Sequence, residues 1–316
     1  MSHRKPSLGL GLVAIGATLF IVNAGVSRVA LRAGVDPVSL TTLRVSGTAA
    51  VLVLLAALFR RSALRPPRGR LAVLLVVHGL VGVAALQWTY YVAIDRLPVG
   101  MALLLEYQAP ILVAIWARVV QKEQVRGRMW VGLALAMAGL AAATGIWQGL
   151  RFDVVGIAAG FGAAVCFAAY FLIGEHGVGL LDPMRVILWA FVVAAVAMNV
   201  VSPLSDFDAG LLTQSTTLLG RLDGLSAPVW VLLAWVVLLG TLVPFGVELQ
   251  ALRHLPATTV TMVAMLEPVG VSALGWWWFS ETLGVVAVIG GLAVVLGIVL
   301  AQTARRARVL VEPPHL

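Results

Sequence analysis

Ten apolar stretches of bilayer-spanning length follow one another along this 316-residue chain with little between them. About 20 consecutive apolar residues cross a hydrocarbon core as a helix. Stretches of that kind lie at roughly 8–31, 38–59, 71–94, 97–120, 129–147, 154–178, 183–202, 229–250, 255–279 and 283–303. Charged residues make up 11% of the chain, against about 25% in soluble domains. A soluble fold of this length cannot hide so much apolar surface, so the expected class is an all-α polytopic membrane protein. The first stretch has the basic front of a signal peptide but is too long for one, and reads as a retained helix.

The Lys and Arg positions orient the spans. With the N-terminus in the cytoplasm, the inner segments carry Arg4, Lys5, Arg60, Arg61, Arg65, Arg68, Arg70, Arg118, Lys122, Arg126, Arg128, Arg185, Arg253, Arg305, Arg306 and Arg308. Arg28, Arg32, Arg44, Arg96, Arg151 and Arg221 are left outside or near the outer face. Both termini are then expected in the cytoplasm, and the location is the cell (cytoplasmic) membrane. The formal charge of +8 belongs to these loops, not to a basic domain, so no nucleic-acid partner is expected. A single cysteine, Cys166, rules out an intramolecular disulfide. Metal-ligand spacing, a nucleotide loop and paired catalytic residues are not visible, so no metal, no cofactor and no enzyme activity are expected.

The chain repeats itself. A shift of 158 residues places Leu97-Pro98 on Leu255-Pro256, Pro110 on Pro268, Glu123 on Glu281, Gly132 on Gly290 and Gly139 on Gly297. At a shift of 146, Asp36-Pro37 falls on Asp182-Pro183. The extra 12 residues fit the longest connection, about 203–228, which reads as a polar loop. Five spans per half is an odd number, so the halves, 1–153 and 154–316, must be inverted, the arrangement of many secondary transporters.

Two acids sit deep in spans interrupted by proline: Glu106 one turn before Pro110, and Glu267 directly before Pro268. An acid at the bilayer centre costs about 2.5–3.5 kcal/mol even on lenient scales and marks a solute or proton path by default. Mid-helix prolines leave the carbonyls of Glu106 and Ala264 without partners. Such backbone is tolerated only inside protein or beside a water-filled cavity. The prolines read either as kinks facing the centre or as passive packing bends. The acids are not repeat-equivalent, because Glu106 falls on Ala264 and Glu267 on Ala109. Glu106 is read as a proton carrier or amine partner. For Glu267, a structural carboxylate remains an equal reading.

The segments RLPVGMALLLEYQAPILVAIWARVVQKE and HLPATTVTMVAMLEPVGVSALGWWWFSE, each followed by a glycine-bearing last span, resemble the EamA family of the drug/metabolite transporter superfamily. The resemblance covers essentially the whole chain. It implies ten transmembrane helices in two inverted five-helix repeats, with helices 1, 3, 4, 6, 8 and 9 around a central cavity and helices 5 and 10 at the periphery. It also implies secondary active transport, with export of amino acids or related small metabolites by alternating access and protons as a candidate coupling partner. Import, or export of amine drugs, is the alternative on this fold. A membrane-embedded enzyme and a non-transporting scaffold are the other classes weighed.

Expected substrate-binding residues are Asn23, Gln87, Trp88, Tyr91, Glu106, Tyr107, Tyr170 and Glu267, with Glu106, Glu267 and His78 as proton-coupling candidates. Gln87 and Tyr91 share a helical face; Tyr90 and Tyr91 also fit an interfacial aromatic belt. Trp276-Trp277-Trp278 reads as belt. His78 is expected to bond a backbone carbonyl. Arg44 is read as snorkelling or pairing with Asp36, with attraction of a substrate carboxylate as the other option. Glu248 is expected near Arg253, and Glu123 and Glu281 as caps of the last helix of each half. The glycines at 132, 139, 290 and 297 imply close helix packing. The protein is expected as a monomer, or as a homodimer through those helices.

Overall fold

The computed structural model describes residues 5–123, 126–145 and 153–303. Arg4, Arg151, Arg305, Arg306 and Arg308 lie outside the described residues. Ten of the described helices are long and apolar enough to cross a membrane: α1 (Pro6–Arg32), α2 (Pro37–Phe59), α3 (Arg70–Arg96), α4 (Gly100–Val119), α5 (Gly127–Thr144), α6 (Val154–Leu180), α7 (Pro183–Val201), α8 (Val229–Ala251), α9 (Ala257–Phe279) and α10 (Val285–Thr303). Three of them open on an aspartate cap. Asp36 accepts from the Ser39 amide, Asp153 from Gly156 and Asp182 from Met184, at 2.7–3.0 Å. Proline stands at the first turn of α2 and α7, where its missing N–H costs nothing.

The helices alternate in direction, so α1 begins and α10 ends on one face of the bundle, the terminal face. Packing does not follow the sequence halves. α1 lies against α8 and α9, and α2 against α7 and α8, whereas α6 lies against α3 and α4, and α7 against α3. Two groups result, α3–α7 and α8–α10 with α1–α2, joined where α2 packs on α7 and where α5 crosses α10. The repeats exchange their first two helices.

The main core fills the seam between these units. Tyr170, Phe171 and Phe191 are fully buried there, and the Phe245 ring of α8 meets Tyr170, Phe191 and Phe20 edge-on at 5.2–5.4 Å. A second contact closes the other side, where α5 crosses α10. A Cβ on Gly132 would sit 2.5 Å from the Gly297 carbonyl, and one on Gly139 2.6 Å from the Gly290 carbonyl. The glycine faces are therefore consumed within the chain and are not free to join two copies.

Lys122 and Ser280, repeat equivalents, take left-handed backbone at φ 54° and 57° and end α4 and α9. The amides of Glu123 and Glu281 then turn back onto the Ala117 and Gly275 carbonyls. Each of these glutamates directly follows a helix end. Arg126 holds the cap position of α5, and Glu281 pairs with Arg28 of α1.

The 203–228 connection is more ordered than a polar loop. It carries short turns of helix and a two-stranded hairpin, β1 (Ser215–Thr217) and β2 (Ser226–Pro228). Its leucines pack on the helix ends beside Trp278. Trp278 is buried, lies against Gly25 and donates from Nε1 to the Leu218 carbonyl at 2.9 Å. Trp276 and Trp277 are exposed. The tryptophan run splits because successive helical residues point about 100° apart.

Candidate functional site

Both proline-bearing helices are interrupted. α4 is regular over Val99–Glu106 and Ala109–Val119, with a turn at Tyr107 and Gln108. α9 is regular over Ala257–Ala264 and Leu266–Phe279, broken at Met265. Proline supplies no N–H, so each helix gives way just after the residue whose carbonyl loses its partner, Glu106 in α4 and Ala264 in α9. The α4 turn aims Tyr107 across the seam, where its hydroxyl donates to Glu267 Oε2 at 3.1 Å. The Tyr107 ring stands edge-on to Phe167 of α6, with centroids 6.0 Å apart.

Glu267 lies within electrostatic reach of Glu106 on α4 and Glu248 on α8. Counting along the helices at 1.5 Å per residue, Glu106 is about 10 Å from the far face and Glu248 about 5 Å from the terminal face. Glu267 lies between them, about 15 Å from the terminal face. The three carboxyls form a staggered series through the bundle. Tyr90 of α3 is in reach of Glu106, and Tyr170 of α6 in reach of Glu248. Carboxylates flanked by phenols can exchange protons and can meet an ammonium group against aromatic faces.

A second polar layer accompanies this series. His78 is fully buried and stacks on Tyr170 at 5.1 Å, 16° from parallel. Neither ring nitrogen of His78 nor the Tyr170 hydroxyl has a hydrogen-bond partner among the described residues. The expected carbonyl bond of His78 is absent among the described residues. α3 is π-helical over His78–Ala85, and α8 is π-helical over Leu238–Leu242. The two stretches coincide at the 158-residue shift, with Gly82 on Gly240. Gly82 lies against Tyr170 of α6, and Gly240 receives Asn23 of α1. Asn23 is buried, and its Oδ1 has no partner among the described residues. Single π turns inside α-helices cluster at functional sites. Composition carried no sign of them; the repeated glycine was the available clue.

Other expected residues fall elsewhere. Trp88 is exposed. Tyr91 lies in reach of Asp36 and Asp95 near the far face, so Tyr90, its neighbour, is the tyrosine beside the acids. Gln87 is half-buried and no hydrogen bond joins it to the described residues. Glu248 faces α1, beside Gly16, and forms no ion pair with Arg253. Arg44 neither snorkels nor meets Asp36; it bonds the π-helical stretch of α8. Two clefts open by the terminal face. One, about 430 Å³, is lined by Phe59, Arg60, Asp182, Met184, Gln250 and Arg253, and the other, about 280 Å³, by Gln121, Leu172, Glu175 and His176. Neither contains an expected site residue, so the acid series lies apart from these clefts; Glu248 is buried, and Glu106 and Glu267 are half-buried.

Known proteins resemble this chain in sequence and fold. The EamA-like transporter family matches residues 7–145 and 154–303. The threonine/homoserine exporter RhtA of Salmonella typhimurium is 25% identical over 222 residues, covering 70% of this chain and 68% of the exporter. RhtA of Escherichia coli K12 is 26% identical over 204 residues, covering 64% and 62%. An uncharacterized transporter of Archaeoglobus fulgidus is 27% identical over 307 residues, covering 95% and 97%. A chain of known crystal structure shares the fold with a TM-score of 0.73 at 18% identity, covering 93% of this chain and 96% of that one.

Proposed function

This chain belongs to the EamA-like transporter family, and from that premise we propose that it is a secondary transporter exporting a small amino acid or related metabolite, coupled to protons. The observation that carries the reading is the Tyr107–Glu267 bond across the seam between the two packing units, with Glu106 and Glu248 in reach of the same carboxyl. Breaking or making that bond ties the protonation of the acid series to the relative position of the units. Alternating access is then a rocking of α3–α7 against α8–α10 with α1–α2, and the broken α4 and α9 supply the adaptable segments. A proton entering the series releases a bound substrate ammonium, and its departure restores the charge that recruits the next one.

The threonine/homoserine exporters among the relatives make L-threonine and L-homoserine the first substrates to try. The basic residues Lys5, Arg60, Arg61, Arg65, Arg68 and Arg70 gather on the terminal face, which supports cytoplasmic termini. Counterflow of labelled L-threonine into proteoliposomes tests the reading: saturable uptake driven by internal unlabelled amino acid is expected. Flux that rises linearly without saturation, or none with any amino acid, contradicts it. The ring pair Tyr107–Phe167 beside two acids favours a second substrate class, hydrophobic amines. That class is detected in the same assay by competition with tetraphenylphosphonium.

A further inference from the structure

Arg44 lies seven residues into α2 from Pro37, about 10 Å below the far face. An arginine at that depth ordinarily bends its stem toward the nearer interface and leaves its head group in water. Here the guanidinium turns the other way. Its Nε–H donates to Thr241 Oγ1 at 3.1 Å, and Nη2 donates to the Gly240 carbonyl at 3.5 Å. Both acceptors belong to the π-helical stretch of α8, roughly 17–18 Å from that same face. A cation held so deep in a membrane protein is ordinarily met by an acid. The ion pairs among the described residues are Arg28–Glu281, Arg60–Asp182 and Arg96–Asp153, and Arg44 is in none of them.

A guanidinium carries five N–H donors. Two are engaged by α8, and those remaining, both on Nη1 and one on Nη2, form the edge that matches a carboxylate fork. Asn23 also packs on Gly240, buried, with Oδ1 lacking a partner among the described residues and so close that a Cβ on Gly240 would collide with it. Donors of fixed positive charge and an unused acceptor therefore both adjoin one glycine.

We propose that Arg44 and Asn23, converging on Gly240, form a subsite for the carboxylate and ammonium ends of a zwitterionic substrate. This rests on the amino-acid reading above and adds the group that separates amino acids from simple amines. The competing role is a brace: Arg44 could merely hold the π-helical stretch, as the Thr241 hydroxyl does by donating to the Val236 carbonyl at 2.7 Å.

The test is ligand-dependent thermal unfolding of the detergent-purified full chain with L-threonine, its methyl ester, and 3-hydroxybutyrate, which lacks the amine. Arg44→Gln is expected to raise the half-saturating concentrations of threonine and 3-hydroxybutyrate at least tenfold and leave that of the ester unchanged. Arg44→Lys, which keeps the charge without the fork, should recover part of the loss. Thr241→Val, which removes the acceptor that orients Arg44, should weaken both carboxylates less than Arg44→Gln does and leave the ester unchanged. Half-saturation by both carboxylates unchanged in Arg44→Gln, or equal binding of ester and acid by the wild type, overturns the subsite. If 3-hydroxybutyrate binds through Arg44 while proteoliposomes exchange no amino acid, the transport reading fails and the subsite stands. If Arg44→Gln exchanges threonine with the wild-type KM, the subsite fails and the transport reading stands.

Discussion

Replacing Gly139 with alanine places a methyl carbon 2.6 Å from the Gly290 carbonyl oxygen and 2.7 Å from the Val294 amide nitrogen. Non-bonded heavy atoms are best separated by about 3.5–4.0 Å, so α5 and α10 must part by roughly 1 Å at their crossing. The colliding groups are backbone in regular helix, with no rotamer to yield. The cost should therefore lie toward the upper end of the ~1–3 kcal/mol typical of overpacked cores. At about 2–4 °C per kcal/mol for larger domains, the unfolding temperature of the detergent-purified protein should fall by several degrees. Gly290→Ala strikes the same crossing, with its Cβ 2.6 Å from the Gly139 carbonyl. Once one methyl has separated the helices, the second finds room already made. The double variant should then lose less than the sum of the singles, by about 1 kcal/mol, as expected for residues in direct contact. Gly11→Ala, with nothing within 4 Å of the added Cβ, is the control and should lose nothing. Unchanged unfolding of Gly139→Ala, or strict additivity in the pair, refutes the close crossing.

Tyr107→Phe removes one hydrogen bond across the seam, worth about 0.5–1.5 kcal/mol; it should alter turnover and its pH dependence by about two- to tenfold while leaving the unfolding temperature near wild type. Pro110→Ala and Pro268→Ala each restore a backbone donor and should stiffen α4 or α9, slowing exchange in counterflow without loss of substrate affinity. Trp278→Ala removes the indole that anchors the 203–228 connection through Leu218. It should cost about 3–5 kcal/mol and expose that connection to limited proteolysis, whereas Trp276→Ala should do neither.

The spans, the repeat and the breaks at Pro110 and Pro268 are legible in the chain because each has a local cause. A bilayer demands long apolar runs, and a missing N–H acts within one turn. Helical phase was only partly legible. Of Tyr90 and Tyr91, one faces Glu106 and the other the interface, and alternation alone does not say which. The Trp276–Trp278 run poses the same problem. The exchange of α1 and α2 between the repeats depends on contacts far apart in sequence, and no local pattern encodes it. The π-helical stretches were hidden for a different reason: their residues are ordinary helix formers, and only the coincidence of Gly82 with Gly240 marks them. Arg44 and Glu248 were visible as charges, but their partners were assigned by proximity in sequence, whereas the fold turns both toward other helices.

The central claim is that the acid series crossing the seam couples protons to substrate movement. It is tested most directly by gradient-driven efflux from threonine-loaded proteoliposomes carrying wild type or Glu106→Gln. The wild type should speed efflux when a proton gradient is imposed and lose that acceleration when the gradient is collapsed. Glu106→Gln should keep counterflow exchange yet show no acceleration by the gradient. An unchanged efflux rate with unchanged pH dependence in Glu106→Gln contradicts the account.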